Sequence, residues 1–474
     1  MTTRPVATRE RQRRAVRRRM LTSLGLGLGL AVALMSEARA STYRVYTSPI
    51  SAMSKAPNDG YCSLAEAVEH VNGNAAYRCT DDAPGSAEHR IELLQASGRS
   101  FSAYHYKITT LTINSSKRVT ITGSGGLPFV DFTGTSGGGS AFKITSGDTV
   151  FFNRVNLTNT AGTAGGRLVE NFGTLQFFGV TMANGDVTGS YHTTGNGGAI
   201  YNNGGTISLA QNSLITGNRA RRGGAIYNND GKVTDLFSVT ISGNSATMGG
   251  GGIYNMSSAS DVNGTPIGSI SADYSTITGN SAPAGGGVFN RGELSMDACS
   301  ITSNTASGTG SDEICHKPLT GAAVSCDGSG GGILGLSSVG RPSRTNLYSA
   351  TTVSNNKASM RGGGIYNAGQ FLVHSSAINY NEARYGAAIY TAALAEGEPT
   401  YCEISKPTYP EGLPQSSIVG NKGVPAAADA YSIVDSSGVT GAFCSFDVTA
   451  SGNIGPWCEE GSVKPTYPCP QTAP

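Results

Sequence analysis

The sequence predicts an all-β fold: a single right-handed parallel β-helix with a short N-terminal capping helix and a disulfide-rich C-terminal cap. Three observations predict it. The hexapeptide GGAIYN occurs at 197–202 and again at 223–228, with degenerate copies GGGIYN at 250–255 and 362–367, GGGVFN at 285–290 and GAAIY at 386–390. An aliphatic-x-x-Asn motif recurs alongside, its asparagines being Asn218, Asn244, Asn280, Asn304, Asn356 and Asn381, spaced 26, 36, 24, 52 and 25 residues. The short spacings define a unit of about 25 residues, the size of one solenoid repeat. Finally, apolar residues alternate within each unit, as in Phe237-Ser238-Val239-Thr240-Ile241, and the chain holds 66 glycines. Alternation is the strand period, and helix interiors tolerate glycine poorly.

Each element follows in order. Six arginines between Arg11 and Arg19 precede an apolar run from Leu21 to Met35 and the tripeptide Ala38-Arg39-Ala40. This is the pattern of a signal peptide over 1–40, and a run of 15 residues is short for a membrane span. Of 34 basic and 32 acidic residues, nine and two lie in that leader, leaving 25 and 30 and a formal charge of −5 for the remainder. No basic stripe remains, which argues against a nucleic-acid partner. Residues 41–104 form an N-terminal cap. There Ser63-Leu64-Ala65-Glu66 reads as a capping box, and Leu64, Val68 and Val71 share one helical face. A helix here covers the open end of a solenoid core.

Residues 105–390 form the β-helix. One coil per unit stacks on the next at about 4.8 Å. Ile215, Ile241, Ile277, Ile301, Val353 and Ile378 are expected in one inward ladder, with the asparagines stacked at the following corner and glycines turning the next. The 52-residue gap is two units, or one unit with a long insertion, and holds Cys315 and Cys326. Residues 391–474, rich in proline and holding four cysteines, form the C-terminal cap and tail. They lack the long alternating series of a membrane barrel, so no autotransporter pore is expected in this chain, nor an integral membrane segment after the leader.

All nine cysteines follow the leader, and an exported chain meets an oxidising compartment. The favoured pairs are local, Cys62–Cys79, Cys315–Cys326, Cys402–Cys444 and Cys458–Cys469, although connectivity does not follow from sequence. Cys299 is left over, two residues before Ile301 on the inward side, as a buried free thiol.

The stretch Asn58-Asp59-Gly60-Tyr61-Cys62-Ser63-Leu64-Ala65-Glu66-Ala67-Val68 resembles the N-terminal box of exported bacterial right-handed parallel β-helix proteins known as the CSLREA family. It departs from that box at Ala65, where arginine is usual, and at Val68 for isoleucine. The GG-[AG]-I-Y-N copies are similar to repeats of polymorphic outer-membrane proteins. The resemblance implies export and a pectin lyase-like solenoid; it implies no shared chemistry.

Three sets of residues are candidates for function. Tyr201, Tyr227, Tyr254, Phe289, Tyr366 and Tyr390 recur at one place in the unit, next to an inward aliphatic residue. Alternation turns them outward, as a strip on which sugars stack. A ladder of rings with no ligand is the architectural reading. Asp273 and Asp297 each precede a ladder asparagine by seven residues, which puts them in one column on adjacent coils, with Asp235 nearby. Paired carboxylates suit acid–base hydrolysis of polysaccharides, or a lyase site with Ca²⁺, but solvated surface acids are the default. Arg221, Arg222 and Arg361 precede glycine corners and are read as surface charge. Lastly, Ser and Thr flank the aliphatic ladder, as in Thr276-Ile277-Thr278, giving hydroxyl rows of the kind that bind ice. Insertions of ten or more residues argue against a flat face.

The resulting expectation is an exported, monomeric binding scaffold at the outer cell surface or outside it, adhesin-like and glycan-binding, without a cofactor; the periplasm is the other location. The alternatives are a β-helix polysaccharide lyase or glycoside hydrolase, with Ca²⁺ only for the lyase, and, third, an ice-binding surface.

Overall fold

A computed structural model describes residues 40–46, 62–74, 76–77, 79, 88–94, 105–124, 127–133, 139–160, 166–188, 195–261, 264–312, 314–316, 324–338, 341–392, 401–405, 417–423, 431–434, 443–446, 449–451 and 456–458. The leader through Arg39, and Cys469, lie outside these residues. The chain is a right-handed parallel β-helix. One coil illustrates the rest: Ile200–Asn203, Thr206–Ala210, Leu214–Thr216 and Arg219–Arg222 each pair in parallel with the equivalent strand of the next coil. The stacked strands make four sheets, named here I to IV in that order, of 12, 13, 12 and 7 strands.

The core is built as the alternation requires. Ile215, Ile241, Ile277, Ile301, Val353 and Ile378 are register partners on sheet III, and all are buried. Full burial of each stabilises by about 1.5–3 kcal/mol. The ladder asparagines close the corner that follows. The Asn280 side-chain amide donates to Ile241 O and Asn304 Oδ1, both at 3.0 Å, and its backbone N–H donates to Asn304 Oδ1 at 3.0 Å. Each asparagine therefore binds the coil on either side, and no amide of this ladder is left unpaired. Among the described residues the row runs as far as Asn421, which accepts from Asn381.

A second asparagine ladder, unassigned in the sequence reading, runs along the corner between sheets I and II. Asn171, Asn202, Asn228, Asn255 and Asn290 are linked by side-chain amide bonds of 2.7–2.9 Å. It breaks where Gly335 replaces asparagine, and Asn290 donates to Thr345 Oγ1 instead.

The helix, α1, spans Leu64–Val71 and starts with the expected reciprocal cap: Glu66 N–H donates to Ser63 Oγ, and Ser63 N–H donates to Glu66 Oε2. Its apolar face joins the core. The side chain of Asn72, just past the helix, donates to Thr112 O and accepts from Asn114 N–H, which occupies the free edge of sheet I. Covering an edge this way stops it pairing with another chain. Cys62–Cys79 and Cys315–Cys326 are disulfides, and Cys299 is a buried free thiol. Only the backbone is described at Cys402, Cys444 and Cys458; Cys402 and Cys444 are register partners on adjacent strands.

The stack is longer than the repeats suggest. Strands Ser41–Tyr46 and Glu88–Leu94 already belong to sheet II, and strands between 401 and 458 continue all four sheets. Coils at both ends lack the GGAIYN signature but keep alternation. The insertions leave the stack at 257–268 and 337–343, between sheets I and II, and at 307–328, between sheets IV and I. The last is an antiparallel hairpin held by Cys315–Cys326, so the 52-residue gap is one coil carrying insertions.

Candidate functional site

The aromatic column is not a solvent-facing strip. Tyr254, Phe289, Tyr366 and Tyr390 are at most 2 % exposed and Tyr227 is 8 % exposed; only Tyr201, at the end, is half-buried. The rings do point away from the main core, as alternation demands. They stack face to face at centroid separations of 5.6, 5.3 and 4.6 Å from Tyr201 to Phe289 and 5.3 Å from Tyr366 to Tyr390, with Leu334 in the gap. What buries them is the chain itself. At Gly223, φ is +63°, and a Cβ there would meet Ile226 O at 2.3 Å. This sharp corner lays the residue ahead of the glycine pair over the ring one coil on. Arg222 lies over Tyr254 and Arg361 over Tyr390, at 5.9 and 5.8 Å, and a side chain at Gly249 would touch Phe289 at 3.0 Å. The disulfide hairpin adds its buried sulfurs to the same cluster. Outward is thus not exposed, and the column is a second core.

Two of the arginines have partners: Arg221 and Arg222 both pair with Asp312 of the hairpin, Arg221 at 3.4 Å.

The carboxylate column, by contrast, comes together. Asp273 and Asp297 are register partners on the outer face of sheet II and are half-buried. Parallel neighbours sit about 4.8 Å apart at the backbone. Asp235 is brought near Asp273 by a bulge: pairing jumps from Ile207–Val233 to Ser208–Asp235, skipping Thr234. Burial, and then the nearby Asp273 charge, push the Asp235 carboxyl up to about 6. Ser349 Oγ donates to Asp297 Oδ2 at 3.2 Å. Behind the pair, burial pushes the Cys299 thiol up to about 12, so it stays protonated, its Sγ 3.3 Å from Ala272 O and Asp297 O.

Aromatic rings flank these carboxylates on both sides, and the sequence reading missed them. Phe237 is the register partner of Asp273 on one side, and Tyr348 that of Asp297 on the other. Tyr274 packs edge-on to Phe237 at 5.7 Å and is 62 % exposed. His374 stacks on Tyr348 at 5.8 Å. The column therefore reads ring, acid, acid, ring, imidazole across five coils. Rings give apolar faces, and carboxylates accept from hydroxyl or ammonium donors. A signal existed: Phe237 and His374 also precede ladder asparagines by seven residues.

A cleft of about 470 Å³ lies elsewhere, between α1 and the start of sheet I, lined by Val68, Glu69, Asn72, Thr110, Thr112 and Asn114. Asn72, which seals the sheet edge, forms part of its wall.

Comparison with known proteins bears on the repeats. Residues 212–229, 238–256 and 350–368 match the Chlamydia polymorphic membrane protein repeat. The chain carries polymorphic membrane protein repeats. Each match runs through coil corners: the first holds Ile215, Asn218 and the Gly223 corner up to Asn229, and the other two end on the buried rings Tyr254 and Tyr366 and the residues after them. The residues that define these repeats are thus the ladder and corner residues of the stack. No curated protein and no solved structure matches the chain. Among the described residues no helix is long and apolar enough to cross a membrane.

Proposed function

We propose that this protein is an exported, surface-exposed β-helix scaffold that binds carbohydrate on the outer face of sheet II, in the manner of an adhesin. The column of Phe237, Asp273, Asp297 and Tyr348 carries the reading. Polymorphic membrane protein repeats support a place at the outer surface. The signal-peptide pattern of 1–40 supports export. The ligand is a cell-surface or extracellular glycan, taken up by a monomer without a cofactor. A shallow face with half-buried acids and half-buried rings, edged by the exposed Tyr274, suits weak stacking contacts summed along a chain of sugars.

A second reading, glycoside hydrolysis, is favoured by one observation. Asp235 holds its proton to about pH 6 near Asp273, whose register partner is Asp297. A protonated and an ionised carboxyl together are what glycosidic cleavage needs. A glycan-array screen of the chain from Ser41 onward, with product release assayed on every hit, separates the two. Binding without products, weakened about tenfold or more by Tyr348→Ala, is the expected result. Product release abolished by Asp273→Asn would replace the scaffold with the hydrolase. Hits that survive both substitutions would refute the face.

A further inference from the structure

The outer face of sheet III carries a second surface that the carbohydrate reading does not use. Two rows of hydroxyl side chains run along it. One holds Thr240, Thr276, Ser300 and Thr352, and the other Thr216, Ser242, Thr278, Thr302 and Ser354. Every member is partly exposed. The pairing continues from Asn156–Asn159 to Ala377–Asn379 with no register shift, whereas sheets II and IV both contain bulges. The insertions at 257–268, 307–328 and 337–343 all leave from corners that do not border sheet III. The corners that do border it hold only two or three residues from Leu214 to Asn379. Insertions expected to interrupt this face therefore leave it clear: they are long, but they stand on the other sides.

The array is periodic in two directions, about 4.8 Å between coils and about 6.6 Å between outward residues along a strand. Neither row contains a charge or a ring. Six of the nine positions are threonine, each adding a methyl beside its hydroxyl. Ser242 Oγ lies 3.4 Å from Thr216 Oγ1, within reach of a hydrogen bond between coils. The large exposed side chains near this face stand at its borders. Tyr274 turns to Phe237 of sheet II, and Tyr380 packs over Gly420.

We propose that the outer face of sheet III binds the surface of ice. Its complement must be planar and uncharged, must repeat near the coil spacing, and must both donate and accept hydrogen bonds at every point. A lattice of ordered water meets all four requirements. A crystalline polysaccharide meets them less well, because sugar-binding faces rely on rings and this array has none. Each hydroxyl holds one lattice water weakly, and nine at fixed spacing hold the lattice together, since the later contacts are intramolecular.

The test is inhibition of ice recrystallisation by the chain from Ser41 onward, against albumin at equal mass. The variant carries Thr276→Tyr and Thr278→Tyr together. Outward strand positions accept aromatic residues, so the fold is kept, and two rings standing out of the plane hold neighbouring coils off a flat surface. The wild-type chain is expected to arrest recrystallisation. The variant is expected to need about tenfold more protein or worse, with an unchanged thermal transition. A wild-type chain no better than albumin overturns the proposal, and so does a variant as effective as wild type. Specific retention on chitin or cellulose without an effect on ice would assign the face to a polysaccharide and equally overturn it. Asp273→Asn lies on another sheet and leaves the ice assay unchanged, so failure of the carbohydrate reading is read separately.

Discussion

Replacing Tyr254 by alanine separates a buried stack from a binding strip. Its ring is 1 % exposed, lies 5.3 Å from Tyr227 and 4.6 Å from Phe289, and is covered by Arg222. Truncation removes two stacking contacts, worth about 0.5–1.5 kcal/mol each, and opens a cavity between rings held by the rigid coil spacing. Large-to-small changes at such positions cost about 3–5 kcal/mol. In a solenoid the loss falls on the coil and its immediate neighbours. Hydrogen exchange is therefore the assay, with urea unfolding beside it. Protection should fall at 223–229, 250–256 and 285–290 and persist in coils further away. Tyr201→Ala is the control: this ring is half-buried and stacks on a single ring, Tyr227, with the Arg167 guanidinium 4.8 Å from its centroid, so the loss is about 1–2 kcal/mol. Unchanged protection around Tyr254 would refute the second core.

Two further predictions concern the ladder and the site. Asn280→Ala strips acceptors from the Asn244 backbone and side chain and donors from Ile241 O and Asn304; leaving such buried groups unpaired should cost about 2–3 kcal/mol, read as a lower urea midpoint. Asp235→Asn should give a pH-dependent gain. The folded carboxyl at about 6 lies above its ordinary 3.8, so the native state binds the extra proton and wild-type stability falls as pH rises through that window. The variant should match wild type below about pH 4 and exceed it by about 1–2 kcal/mol above pH 6, after allowance for solvent screening; equal stability at both ends would refute a carboxyl raised by burial and by Asp273.

The fold was legible because the residues that make it repeat. Ile277 and Asn280 declare their positions by spacing alone, since a stacked coil gives equivalent residues the same neighbours. Ser63 and Glu66 declared α1 in the same direct way, through a cap that needs only four residues. The candidate site was half legible. Asp273 and Asp297 could be aligned by counting back from Asn280 and Asn304. Asp235 could be placed near them, but not the bulge at Thr234 that brings it in. Phe237 could have been aligned by the same count of seven, whereas Tyr348 stands eight residues before Asn356 and falls out of that count because its corner holds one residue more. The Tyr254 column misled for a different reason. Alternation gives the side of the strand, whereas exposure depends on where Gly223 and its equivalents send the preceding segment, and no local pattern reports that.

The most direct test of the carbohydrate face is a crystal structure of the chain from Ser41 onward soaked with an oligosaccharide found by the array. Sugar rings against Phe237 and Tyr348, with hydroxyls on Asp273 and Asp297, are the predicted result. Sugar seated on any other face, with the Asp273–Asp297 column bare, would contradict it.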